Sequence, residues 1–198
     1  LGFTIEPATA WGIQHNAALI DTISAERIRD EMGRLLLSRE PALGLRYLDD
    51  LGLMAHILPE LVASRGVTQN GFHHLDVYGH TLAVVEAAAN SQDDAMDEHD
   101  KLALMWGALL HDIGKPECRT IDADGSVHFI GHEERGAGIA CSILSRLRAD
   151  NHLIDRVTKL VQLHLRPGGY SDDWSDGAVR RLIRTAGSDW TLLALLAR

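Results

Sequence analysis

The sequence predicts an all-α protein that carries one small β-hairpin. Only 5% of its 198 residues are aromatic, and alanine and leucine are abundant, a composition that favours helices over strands. Apolar residues recur at helical spacing, as in Ile28, Met32 and Leu35, and a chain of this length can bury a sizeable core. The one strand-like stretch is 117–131, where an Asp-Gly step marks a hairpin turn.

The first portion, residues 1–64, is predicted to be a small bundle of helices without a cluster of metal-type ligands. Its signals are helical periodicity, a Ser N-cap, and proline and glycine at helix ends. The expected elements are a helix over about 5–23 with Trp11, Ala18, Leu19 and Ile23 on its apolar face, a helix after the N-cap Ser24, a helix from Pro41 to the capping Gly52, and a short apolar segment over 53–61.

The second portion, residues 65–198, is predicted to hold a deeply buried helix with further helices around it. The expected elements are a loop over 65–72, a helix over 76–89, a polar loop over 91–100, the buried helix over 102–110, the hairpin over 117–131, a helix from 132, a helix over 151–165, a loop over 168–175, and helices over 176–186 and 188–198.

The buried helix ends in the sequence His111-Asp112-Ile113-Gly114-Lys115-Pro116. Glycine tolerates a left-handed cap and proline cannot continue a helix, so the helix is expected to stop here. An imidazole and a carboxylate are thereby brought into apolar surroundings, and burying them without a partner costs several kcal/mol. A divalent metal ion is the simplest partner that suits both groups.

Three further histidines stand at comparable places: His80 within a helix, His132 at the start of one and His164 at the end of another. A metal on His80, His111 and Asp112 would leave room for water, as a catalytic site requires. For each histidine the alternative is an ordinary core residue whose ring nitrogens form hydrogen bonds within the protein and bind no metal. His73 and His74 are ambiguous, and the pair Asp122 and Asp124 is better explained by the hairpin turn than by a metal site.

The net charge of −9 argues against general binding of polyanions by the whole chain. Arginine nevertheless outnumbers lysine by 16 to 3, and arginine suits bidentate contacts to phosphate. A local basic patch therefore stays open, and the alternative is a solvated helix face. The arginines concerned are Arg27, Arg34, Arg39 and Arg46 in one set, and Arg180, Arg181 and Arg184 in another.

The two cysteines, Cys118 and Cys141, are too few for a disulfide framework, so a cytoplasmic location is expected. No apolar run is long enough to span a bilayer, which predicts no membrane partner.

Four stretches together resemble the metal-dependent phosphohydrolases of the HD-domain superfamily: HHLDVYGHTL (73–82), LLHDIGKP (109–116), FIGHEERGA (129–137) and VQLHLRP (161–167). More narrowly, the chain resembles the C-terminal part of the bacterial tRNA nucleotidyltransferase and poly(A) polymerase family. The stretch 24–61, which begins SAERIRDEM and ends ILPEL, is similar to the helical RNA-binding neck of that family.

This resemblance implies an RNA-binding neck over 1–64 and an HD domain over 65–198. It implies a divalent ion, with Mg, Mn, Ni, Zn and Fe not distinguished, and an RNA 3′ end and a phosphate ester as ligands; the oligomeric state stays open. Cyclic phosphates at RNA ends are one option for the ester. The implied metal ligands are His80, His111, Asp112, His132 and His164, with Asp112 and Lys115 in catalysis.

Two departures from the family limit what the chain is expected to do. The polymerising head is absent from this chain, so the chain alone is not expected to add nucleotides. The family's last metal-ligand Asp is expected just after a helix like 192–198, so the HD domain is expected to be truncated. The possible substitutes within the chain are Asp172, Asp173, Asp176 and Asp189.

Three other functions remain open at this stage. The chain could be an RNA-binding body whose metal chemistry is secondary, or a stand-alone HD phosphohydrolase acting on nucleotides or other phosphate esters. A purely structural metal is disfavoured, because structural zinc usually takes cysteine ligands and Cys118 and Cys141 are not spaced for that.

Overall fold

A computed structural model describes residues 4–69, 74–93, 95–170 and 174–197. Within these ranges the chain is a bundle of helices with one two-stranded antiparallel hairpin, as the sequence predicts. The α-helices are α1 (Pro7–His15), α2 (Ala25–Leu36), α3 (Pro41–Asp50), α4 (Met54–Ile57), α5 (Pro59–Val62), α6 (Val77–Asn90), α7 (Glu98–Leu110), α8 (Lys115–Cys118), α9 (His132–Arg146), α10 (Asn151–Leu163), α11 (Leu165–Gly168), α12 (Asp176–Ala186) and α13 (Trp190–Leu196). The strands are β1 (Thr120–Ile121) and β2 (Val127–His128), and 3₁₀ segments span Ala17–Thr22 and Gly187–Asp189. No helix in these ranges is long and apolar enough to cross a bilayer.

The prediction of one helix over about 5–23 is wrong in the length of the helix and in the face that it buries. It breaks at Asn16, whose side-chain amide donates to the Gly12 carbonyl at 2.8 Å, and a 3₁₀ segment follows. Asparagine competes for backbone hydrogen bonds in this way, which disfavours a continuing helix. Trp11 and Leu19, expected to face inward, are each 60% exposed, and α1 buries none of its residues.

Helix α7 is the centre of the core. Every residue from Ala103 to Leu110 is buried, including the indole of Trp106. Helices α2, α6, α10 and α13 all pack against it. Each fully buried leucine contributes about 1.5–3 kcal/mol through the hydrophobic effect, so this helix is fixed firmly in place. It begins at Glu98, earlier than predicted, because Asp97 caps it by accepting from the Asp100 amide.

The predicted boundary at residue 64 stays a prediction, but one apolar core runs across it, from Met32 to Leu196. Two ion pairs also join the first portion to the end of α9: Arg146 to Glu60 at 2.6 Å, and Arg148 to Glu26 at 3.1 Å. Arg148 has a left-handed backbone (φ 53°), and its carbonyl accepts a hydrogen bond from Arg29. The two portions are therefore tied together by polar as well as apolar contacts.

The hairpin is smaller than predicted. Its strands pair Thr120 with His128 and Ile121 with Val127, and Phe129 lies outside the ladder. Gly125 has φ 86° in the turn, a conformation that glycine adopts without steric cost. Asp122 accepts from His128 at 2.8 Å, so this aspartate stabilises the hairpin.

The last predicted helix begins two residues late because Asp189 belongs to a buried ion-pair network. Its carboxylate accepts from Arg156 at 2.7 Å and from Lys159 at 3.1 Å, both on α10. Arg156 also pairs with Asp100 at the start of α7. Burial raises the pKa of Asp189, but the bonds from Arg156 and Lys159 outweigh it, so the pKa lies below the ordinary value. This network locks the C-terminal helices against α7 and α10.

Two glycines bring the turn after α7 into direct contact with α9. A Cβ atom at Gly114 would lie 2.3 Å from the His132 carbonyl oxygen and 2.6 Å from the Gly136 amide nitrogen, both of them backbone atoms. A side chain cannot be accommodated here unless α9 moves away. Because α9 begins with His132, this contact sets the position of that histidine relative to Asp112.

We expect Gly114→Ala to lower the free energy of unfolding by about 1–3 kcal/mol, the usual cost of overpacking. Chemical denaturation would measure the change. The matched control is Gly138→Ala on the same helix α9, because a Cβ there meets nothing within 4 Å. The control should be neutral or slightly stabilising, since alanine is the better helix former. Equal stability of Gly114→Ala and Gly138→Ala would contradict the close contact.

Candidate metal centre

Five predicted side chains meet at one point among the helices. His80 lies in α6, His111 and Asp112 follow α7, His132 begins α9, and His164 follows α10. Each of the last four is buried, and His80 is partly buried. The helix ends converge here because α7 is packed against both α6 and α10, and α9 is packed against α10.

The carboxylate of Asp112 is the centre of this cluster and is only 2% exposed. Its Oδ2 atom lies 3.1 Å from His111 Nε2 and 3.5 Å from His80 Nε2. Its Oδ1 atom lies 3.3 Å from His132 Nε2 and 3.6 Å from His164 Nε2. The arrangement thus contains two groups of three possible ligands, and Asp112 belongs to both.

Backbone carbonyls fix the orientation of three of the imidazoles. The Nδ1 atoms of His111, His132 and His164 lie 2.9, 2.7 and 2.7 Å from the carbonyl oxygens three residues earlier in the chain. A carbonyl only accepts, so each Nδ1 donates, and the neutral ring presents a lone pair at Nε2. This backbone hydrogen bond is the usual support of a histidine that binds a metal through Nε2.

Two inward-facing nitrogens lack the partners they need. His132 Nε2 and His164 Nε2 are buried and make no hydrogen bond in the described part of the chain, and both face Asp112 Oδ1. The other oxygen, Oδ2, lies near the Lys115 ammonium group. Lone pairs directed at one another are unfavourable unless a cation lies among them. A divalent ion would satisfy all of these atoms, so the residues fit a metal.

The charge states in the cluster suit metal ligands. Burial raises the pKa of Asp112, but positive charge beside the carboxylate, from His111 first, lowers it more, so its pKa lies well below the ordinary value. A divalent ion would supply that positive charge with the rings neutral. Burial lowers the pKa of His164, which keeps that ring neutral at pH 7. An ionised carboxylate and neutral imidazoles are the protonation states that bind divalent metals.

Lys115 is directed into the cluster and not into solvent. Its side chain is 12% exposed, and Nζ lies 2.8 Å from Asp112 Oδ2. It donates to Gln69 Oε1 at 2.6 Å and lies 5.3 Å from the centroid of the Phe129 ring. Gln69 was not foreseen, because a lone glutamine in a loop carries no sequence signal. Lys115 is therefore held beside Asp112 by a contact that sequence analysis missed.

The expected substitutes for a further carboxylate do not join the cluster. Asp189 is occupied by Arg156 and Lys159, and Asp176 is exposed near Arg180. Asp172 and Asp173 lie outside the described residues, as does His73. His74 is exposed at the start of the α6 region. Within the described ranges, Asp112 is the only carboxylate in either group of possible ligands.

The four arginines predicted to contact phosphate in the first portion, Arg27, Arg34, Arg39 and Arg46, are all exposed on α2, on α3 or between them. Arg34 pairs with Glu31 at 2.7 Å, whereas Arg27, Arg39 and Arg46 form no ion pair with any residue that the structure describes. Three exposed guanidinium groups of the first portion thus carry no carboxylate partner within the described residues.

Comparison with known proteins identifies two regions of the chain. Residues 2–64 match the family model described as "Probable RNA and SrmB-binding site of polymerase A", and residues 77–194 match the HD domain.

A curated A-adding tRNA nucleotidyltransferase of Deinococcus radiodurans is 38% identical over 171 residues, which cover 83% of this chain and 38% of that protein. A CC-adding tRNA nucleotidyltransferase of Thermus thermophilus is 40% identical over 141 residues, covering 71% of this chain and 31% of that protein. A multifunctional CCA protein of an Azoarcus species is 36% identical over 147 residues, covering 73% and 33%. The matched region is less than two fifths of the length of each of these relatives.

Proposed function

This chain belongs to the tRNA nucleotidyltransferase and poly(A) polymerase family and carries its RNA-binding region followed by an HD domain; from that premise, we propose that it binds RNA and hydrolyses a phosphate ester at an RNA 3′ end. The observation that carries the proposal is the buried carboxylate of Asp112, facing imidazoles whose Nδ1 atoms are already bound to carbonyls. The free thiols Cys118 and Cys141 agree with the expected cytoplasmic location.

The proposed metal ligands are His80, His111, Asp112, His132 and His164. A divalent ion bound there supplies Lewis-acid polarisation of a phosphoryl oxygen and lowers the pKa of a water molecule from 15.7 towards ~7. Asp112 contributes the negative charge that attracts the cation, and it contacts both groups of histidines. The carbonyls behind His111, His132 and His164 hold the rings so that they need no reorientation.

Lys115 is proposed to act in two ways. Through its 2.8 Å contact it positions the Asp112 carboxylate. Its positive charge, held beside the proposed metal ligands, would stabilise negative charge on a phosphate bound there. Gln69 and Phe129 limit the freedom of the side chain, so the charge is preorganised.

The exposed arginines of the first portion are the proposed contacts to RNA phosphates. A guanidinium group makes bidentate hydrogen bonds to phosphate, and each contact releases condensed counterions. The proposal concerns RNA binding and hydrolysis by the regions matched here.

Asp112→Asn should abolish hydrolysis and lower the metal content of the purified protein. The change keeps the size of the side chain but removes the charge that attracts the cation. Elemental analysis would measure bound metal, and hydrolysis of a nucleoside 2′,3′-cyclic phosphate and of an RNA ending in a phosphate would measure turnover. Asp176→Asn is the control, because this exposed carboxylate lies outside the cluster. Full turnover by Asp112→Asn would contradict the proposed function. Equal turnover of free nucleotides and of RNA ends by the unmodified protein would favour a stand-alone phosphohydrolase.

Lys115→Gln should retain bound metal while turnover falls by at least about tenfold, because a neutral side chain no longer stabilises charge that develops on the phosphate. Removing a cation next to Asp112 should not weaken the attraction of that carboxylate for a metal. Metal content and the kcat of hydrolysis would be measured on the same preparation, with Lys115→Arg as the charge-preserving variant. A loss of metal together with activity would show that Lys115 has a structural role only.

The triple variant Arg27→Gln, Arg39→Gln and Arg46→Gln should bind a tRNA-like hairpin more weakly and with less dependence on salt. Each lost phosphate contact lowers the slope of log K against log[salt] by about 0.7–0.9. Fluorescence anisotropy between 50 and 200 mM salt would measure this change. Arg34→Gln should have a smaller effect because Arg34 already pairs with Glu31, and Arg135→Gln, paired with Glu117, is the control. Unchanged affinity of the triple variant would mean that these arginines form an ordinary solvated face.

A further inference from the structure

We propose that a cleft between α11 and α12, beside the metal centre, binds an unpaired nucleotide at the end of an RNA strand. The α11–α12 cleft consists of two adjoining cavities of about 390 and 450 Å³, which share Trp174 and Leu182 in their walls. Cavities of this size accommodate small-molecule ligands. The inference rests on the proposed function, because it assigns part of the substrate of that site.

The smaller cavity has a basic wall. It is lined by Leu163, Arg166, Trp174, Ala178, Arg181, Leu182 and Thr185. Arg166 and Arg181 are exposed and form no ion pair with any described residue, whereas Arg180, next to Arg181 on α12, lies 4.0 Å from Asp176. In a chain of net charge −9, two guanidinium groups in one cleft indicate an anionic ligand.

The side chain of Arg181 lies back along α12. The position of a Cβ atom at Gly177 is 3.4 Å from Arg181 Nη1, so the guanidinium lies over the first turn of α12. The amide groups at the start of a helix carry a partial positive charge, which adds to the charge of the arginine. This end of the cleft is therefore suited to a phosphate group.

The larger cavity is aromatic and apolar. It is lined by Pro167, Tyr170, Trp174, Val179, Leu182, Trp190, Ala194 and Ala197. The rings of Tyr170 and Trp174 have centroids 5.9 Å apart and lie nearly edge to face, and Tyr170 is 59% exposed. The exposed phenol offers a ring face on which an unpaired base can stack, and the indole beside it forms an apolar wall. Arginines next to aromatics are the combination that binds single-stranded nucleic acid.

The cleft and the metal centre are connected through α10. Leu163 lines the cleft, and the next residue, His164, faces Asp112. Their Cα atoms are about 3.8 Å apart, as in any trans peptide. Arg166 follows on the single turn α11. The end of α10 thus contributes one residue to the cleft and the next residue to the metal centre.

The test is the binding of a single-stranded CCA trinucleotide and of inorganic phosphate, measured by isothermal titration calorimetry. Tyr170→Ala and Trp174→Leu should each raise the Kd of the trinucleotide about 5- to 150-fold, the range for loss of a stacking aromatic. Arg181→Gln should weaken both the trinucleotide and phosphate. Arg180→Gln is the matched control, and it should leave both affinities unchanged. Tyr170→Ala and Arg181→Gln replace exposed side chains, so they test the cleft even if Trp174→Leu does not fold.

Asp112→Asn separates this inference from the proposed function, because the cleft does not use that carboxylate. Trinucleotide binding that survives in Asp112→Asn supports the cleft, even if the chain proves to have no hydrolytic activity. The converse result is hydrolysis by the parent chain while Arg181→Gln and Tyr170→Ala bind the trinucleotide with the same Kd as Arg180→Gln. That result would overturn the cleft and leave the proposed function standing. Phosphate that binds as tightly as the trinucleotide would also overturn it, since no base would then be recognised.

Discussion

The structure depends on one electrostatic constraint, the buried negative charge of Asp112. This carboxylate lies at the end of the most deeply buried helix, where charge is costly unless it is compensated. Four imidazoles and one ammonium group, on five separate helices or helix ends, are directed at its two oxygens. The packing of α6, α8, α9 and α10 around α7 can be understood as the arrangement that brings these groups to a single point.

Backbone atoms do much of the positioning in this centre. Carbonyls near the ends of α7 and α10, and the carbonyl of Phe129, fix three imidazole rings, while Gly114 and Gly136 let the backbone of α9 approach the turn that carries Asp112. A ring held by its own backbone loses little freedom when it binds a ligand. The centre is therefore preorganised by local geometry more than by other side chains.

Much of this could be predicted from the sequence, because its signals are local. The buried helix, its stop at Gly114 and the histidines at helix ends are all visible as patterns, and the family resemblance joins them into one cluster. The break at Asn16 and the exposure of Trp11 were missed, since helical periodicity does not show which face finds a partner. The contact of Lys115 with Gln69 and the burial of Asp189 beneath Arg156 depend on long-range packing, for which a single sequence carries no signal.

The left-handed backbone at Arg148 has a consequence for the molecule as a whole. Its carbonyl accepts a hydrogen bond from Arg29, and its guanidinium pairs with Glu26, so the turn between α9 and α10 contacts α2 twice. The ion pair between Arg146 and Glu60 is a further contact between α9 and the first portion. Within the described residues, α2 and α9 are joined by the shared apolar core and by these polar contacts. The distance from the arginines of α2 to the Asp112 carboxylate is therefore set by the packing of the helices.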